Sequence, residues 1–136
     1  MEKEMQAQEL MQNLKENWDD PDCAYWVETY SEELSKLLCS DEALARKFFT
    51  ECTDEEFDMA CMTLEDLADA HGKGFSLWLL ENAAGRNLNL DSWYELYGVL
   101  INSGWREHDP ERSRWTDERK KQYVLDALRE IQEKGI

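Results

Sequence analysis

Carboxylates, cysteines and two histidines are the chemically able side chains of this sequence, and their spacing argues against catalysis. Acids number 31 in 136 residues. At that density, close pairs such as Asp66 and Asp69 are expected without any acid–base role. A helical dimetal site needs Glu-x-x-His, and neither His71 nor His108 has a Glu three residues before it. Asp69 and His71 are two residues apart, which points them to different sides of a helix. Cys23, Cys39, Cys52 and Cys61 contain no Cys-x-x-Cys. Cys52, Cys61 and His71 are too widely spaced for a zinc knuckle. His71-Gly72-Lys73-Gly74 is too short to be a phosphate loop. No Ser- or Cys-based triad is signalled. The expectation is a non-enzymatic protein with no catalytic residue, cofactor or metal.

What remains is binding, and charge decides its sign. The 31 acids oppose 15 bases, for a net charge of −16. Direct contact with a nucleic-acid backbone needs a basic surface, and an anionic membrane repels this one. No apolar run approaches the roughly 20 residues of a membrane span. The opening Met-Glu-Lys-Glu-Met lacks the apolar stretch of a secretory signal. Together with unpaired-looking cysteines, this predicts a cytoplasmic protein with reduced thiols. The charge is lopsided. Residues 1–70 hold 20 acids and five bases, whereas residues 71–136 hold 11 acids and 10 bases. A uniform excess serves solubility, but a lopsided one marks a surface that meets something.

The elements that position these groups read as helices throughout. Hydrophobic residues make up 42% of the chain, with six Trp, enough for one globular domain over residues 1–136. Prolines number two and glycines six, and apolar residues recur at spacings of three and four. Helix one is expected over about Lys3–Asn17. Helix two follows Asp20-Pro21 to about Cys39, with Trp26, Val27, Tyr30, Leu34, Leu37 and Leu38 inward. Helix three is capped by Ser40. Helix four opens on a Thr53–Glu56 capping box and runs to about His71, stopped by Gly72 and Gly74. Helix five spans about Phe75–Ala84. Asp91 caps helix six, which Gly104 ends, and Thr116 caps helix seven. The prediction is all-α: antiparallel hairpins of about seven helices, with a short stack of the α-solenoid kind as one arrangement.

A wheel of helix four puts Phe57, Ala60, Cys61, Leu64, Leu67 and Ala68 on one side. Opposite lie Asp58, Met62, Glu65, Asp66 and Asp69, with Met59 at the edge. These acids repel one another, and no lysine or arginine interleaves them. A helix built for stability alone would mix signs. Met62 among acids suits a docking surface. Opposite helix two's apolar stripe lie Tyr25, Glu28 and Glu32, and tyrosine is a good interface anchor. The ordinary reading of both faces is solvated surface. The sequence does not decide whether the two faces adjoin.

The leading expectation is therefore an acidic face of Tyr25, Glu28, Glu32, Asp58, Met59, Met62, Glu65, Asp66 and Asp69 that docks on a basic protein. Its most concrete form is an inhibitor covering the cationic active site of a nuclease-type toxin. In character alone (small, acidic, motif-free) the chain resembles bacterial immunity proteins. The alternative is a structural adaptor or homo-oligomer using Met5, Leu10 and Met11 of helix one, with acidity serving solubility. A nucleic-acid mimic and a metal-dependent enzyme rank below both. The Arg106, Arg112 and Arg114 loop between Trp105 and Trp115 is expected to pack on its own chain.

Overall fold

The computed structural model describes residues 2–136. It contains seven α-helices: α1 (Glu2–Asn17), α2 (Ala24–Cys39), α3 (Glu42–Glu51), α4 (Asp54–Met59), α5 (Leu64–Ala84), α6 (Leu90–Asn102) and α7 (Asp117–Lys134). Single 3-10 turns at Pro21–Cys23, Cys61–Thr63 and Arg112–Arg114 lead into α2, α5 and α7. There is no strand among the described residues.

Local chemistry sets most helix limits. The Thr53 hydroxyl accepts from the Glu56 amide at 3.1 Å, and the Glu56 carboxylate accepts from the Thr53 amide at 2.8 Å. This is the expected capping box. Thr116 caps α7 as expected. Two caps shift. Asp41, not Ser40, accepts from the Leu44 amide to start α3, while Ser40 donates to the Leu37 carbonyl and closes α2. Asn89, not Asp91, caps α6. Asp91 falls inside the first turn, where the helix dipole favours an acid.

The helix expected from Thr53 to His71 is broken. α4 ends at Met59, the chain makes one 3-10 turn, and α5 begins at Leu64. Met59, Ala60, Cys61, Thr63 and Leu64 are all buried. One straight helix buries a single stripe, so near-consecutive burial requires the backbone to turn. Thr63 holds the turn by donating to the Ala60 carbonyl at 2.8 Å. The expected stop at Gly72 is instead a kink, with φ +87° inside α5, and the segment expected as helix five is the second limb of α5.

α1 and α2 form a hairpin, α5, α6 and α7 pack in succession, and α2 lies against α5 to join the two groups. α3 packs on α1, α2 and α5, and α4 on α1 and α6. One contiguous core results, with Leu14, Leu34, Phe49, Phe57, Leu67, Leu79, Trp93 and Leu96 at its centre. Each such side chain contributes roughly 1.5–3 kcal/mol by leaving water. Arg86, at the end of α5, donates to the Phe49 carbonyl at 2.6 Å and the Cys52 carbonyl at 2.9 Å. These are orphan carbonyls at the end of α3. His71 does likewise for α2: its Nε2 lies 2.8 Å from the Leu38 carbonyl and must donate there.

Two expected stripes are corrected. Trp26 is 49% exposed; Leu34 and Leu38 are buried as expected, and Ser31 and Ser35 complete the buried face of α2. Small serines let α5 approach where an indole would hold it off. On α1, Met11 is core and Leu10 is partly buried, leaving only Met5 of the three as a free apolar side chain. The four cysteines are free thiols. No described helix is long and apolar enough to cross a membrane.

Candidate functional site

The first two turns of α5 lie between α2 and α6, and their side chains divide accordingly. Asp66 turns to α2, where the Ser35 hydroxyl donates to it at 2.9 Å. Glu65 turns to α6 and lies across Gly98, so close that a Cβ there would fall 1.6 Å from Glu65 Oε1. Asp69 projects outward and is exposed. Met62, on the turn just before, is 49% exposed. Glu28 and Met62 line one groove, Ser35 meets Asp66, and Leu38 meets His71. α2 and the start of α5 therefore run side by side in the same direction. Tyr25, Glu28 and Glu32 are all exposed on α2 at a spacing that shares one face. The two expected faces do adjoin.

Two expected members do not belong. Met59 is only 7% exposed and packs into the core, because the helix breaks immediately after it. Asp58 is half-buried, and its Oδ1 accepts from the Ser92 hydroxyl at 2.6 Å and the Asn89 amide at 3.1 Å. It ties α4 to the first turn of α6. Both errors come from carrying one helical wheel through a break.

The remaining acids form a ridge that sequence spacing underestimates. Glu95 of α6 joins it. Burial first, then the charges of Glu65, Asp66 and Asp91, push its carboxyl up to about 7. Burial also raises Glu65, with Asp69 and Asp66 adding to it. Burial and the same two aspartates raise the Cys39 thiol, against the Ser35 hydroxyl. These mutual effects place Glu65, Asp66, Asp69, Asp91 and Glu95 in one field across α5 and α6. None of them, nor Glu28 or Glu32, forms an ion pair among the described residues.

Five other acids of the first half form ion pairs among the described residues. Glu4 meets Lys47 at 2.9 Å, Glu56 meets Lys15 at 2.8 Å, and Glu42 meets Arg46 at 2.9 Å. Among the described residues only Asp54 takes its partner, Arg86, from the second half, at 3.1 Å. The fold neutralises acids at several places but not on the ridge.

At the α2 end, Trp18, Pro21, Ala24, Val27 and Met62 line an open groove together with Asp19, Asp20 and Glu28. Trp18, Asp19 and Asp20 were not among the expected site residues. They belong to the chain between α1 and α2, which no helical wheel covers. Beyond it, Tyr25, Trp26 and Tyr30 form an aromatic ladder with ring centroids 5.3 Å and 6.0 Å apart. Among the described residues, no cluster of three His, Cys, Asp or Glu is arranged to hold a metal ion. Burial pushes the Cys52 and Cys61 thiols up to about 11, which leaves little thiolate for nucleophilic chemistry.

No protein-family model, curated protein or solved structure matches this chain.

Proposed function

We propose that the chain is a non-enzymatic binding protein whose acidic ridge docks on a basic protein. One observation carries this reading: Glu28, Glu32, Glu65, Asp66, Asp69, Asp91 and Glu95 gather on adjoining faces of α2, α5 and α6, and none of them has a cationic partner among the described residues. Packing like charges together costs stability. A cationic partner relieves that cost, and the field speeds encounter. The exposed Tyr25 and Met62 add apolar contact beside the acids.

The most concrete partner is the phosphate-holding surface of a nuclease-type toxin, which the protein would cover as an inhibitor. Such a surface must be cationic to bind its own substrate, so an acidic ridge competes for the same groups. The cytoplasm is the compartment where such an inhibitor acts.

The test is capture of basic proteins from lysate at low and high salt, repeated with Asp66→Lys/Asp69→Lys. Capture should yield a defined basic protein whose association rate falls steeply with salt. The double reversal should weaken it on the order of tenfold to a hundredfold. A complex indifferent to both salt and reversal sinks the proposal.

A further inference from the structure

The groove at the α2 end is built differently from the ridge beside it. It is lined by apolar Trp18, Ala24, Val27 and Met62 together with acidic Asp19, Asp20 and Glu28. Asp20 is already engaged, accepting from the Asp22 amide at 2.9 Å and the Cys23 thiol at 3.5 Å. Asp19 and Glu28 are exposed, and neither forms an ion pair among the described residues. An uncharged apolar ligand would desolvate these carboxylates without compensation.

We propose that this groove takes an arginine side chain of the basic partner, a reading that rests on the ridge being a docking surface. The carboxylates set the sign of the occupant, and the apolar lining favours one with a flat, weakly hydrated face. A lysine ammonium is a compact, strongly hydrated charge that gains little from an apolar lining. A guanidinium is planar and weakly hydrated. It stacks on an indole and forks onto carboxylates. Its aliphatic stem lies along Ala24 and Val27, as long basic side chains do on apolar surface. The unbranched thioether of Met62 adapts to the ring plane.

The experiment uses the full chain with labelled methionine methyls and tryptophan indoles, titrated with hexa-arginine and hexa-lysine amides and followed by NMR. Hexa-arginine should shift Met62 and Trp18 saturably and bind at least about threefold more tightly than hexa-lysine. Met5 is the internal control: it is 70% exposed on α1, near Glu2, Glu4 and Glu9, and should move little. Asp19→Asn and Glu28→Gln are surface changes, and each should weaken hexa-arginine roughly threefold to tenfold. Equal shifts at Met5 and Met62, equal affinity for both peptides, or an unchanged titration in both Asp19→Asn and Glu28→Gln would overturn the assignment. If that happens while Asp66→Lys/Asp69→Lys still weakens capture of a basic protein, the groove assignment falls and the ridge reading stands. If the reversal leaves capture unchanged, the ridge reading falls whatever the peptides do.

Discussion

On the α6–α7 side of the molecule several positive charges are engaged by the chain itself, whereas along α2, the start of α5 and the first turns of α6 the carboxylates have no cationic partner among the described residues. Arg112 bonds to the Tyr123 hydroxyl and to the Glu107 carbonyl, and its guanidinium lies 4.5 Å from the Tyr123 ring centre. Arg119 stacks on Trp115 at 3.8 Å and Lys73 on Trp105 at 4.3 Å. Lys120 is buried with its amine 4.7 Å from the Tyr94 ring centre. Arg106 reaches Glu130 at 3.0 Å. The ridge has no counterpart to any of this. The lesson is that the fold has means of absorbing charge and does not apply them to the ridge.

Deleting charge on the two sides is the strongest way to break this contrast. Arg112→Ala removes a half-buried side chain with several partners and should lower unfolding free energy by about 2–3 kcal/mol in urea titrations. Asp69→Asn should fall within about 0.5 kcal/mol of the parent, or above it. Equal losses at the two positions would erase the distinction.

Glu95→Gln sharpens it. Folded Glu95 keeps its proton up to a pH of about 7. The unfolded chain releases it near pH ~4.3. Between these values the folded state binds more protons, so this group's effect is to lower stability as pH rises, with no further change above the folded value. The variant should match the parent at pH ~5 and exceed it at pH ~8 by about 1 kcal/mol, allowing for solvent screening. Urea titrations at both pH values check this, and a variant less stable at the higher pH would contradict it.

Gly98→Ala is the mildest. The new methyl must displace the Glu65 carboxylate, the flexible end of its side chain. Alanine's helix propensity, worth up to about 1 kcal/mol over glycine, offsets that movement, and the net change should stay below about 0.5 kcal/mol. With Glu65 turned away, Glu95 should titrate lower by NMR. A large loss of stability would mean that the fold holds Glu65 in place.

Much of the candidate site was legible because its signals are local. Glu65, Asp66 and Asp69 lie within one turn of each other, and Glu28 and Glu32 are neighbours at i,i+4 wherever α2 packs. Asp58 and Met59 were misplaced because the break after Met59 is driven by burial against distant helices. Glu95 was missed because nothing in its own neighbourhood says that it abuts Glu65, more than a helix away in sequence. Trp26 looked like core because an apolar stripe shows which residues prefer burial, not which helix has room for an indole.

The sequence by itself determined the all-helical class, the caps at Thr53 and Thr116, and the concentration of acids in its first half. Those depend on backbone preferences and side-chain bonds that reach only about four residues. Only the tertiary structure decided that α2 runs alongside α5, that Glu95 completes the ridge, and that Trp18 and Met62 share a groove. Packing a common core chooses the neighbours of each helix, and no short-range rule carries that choice.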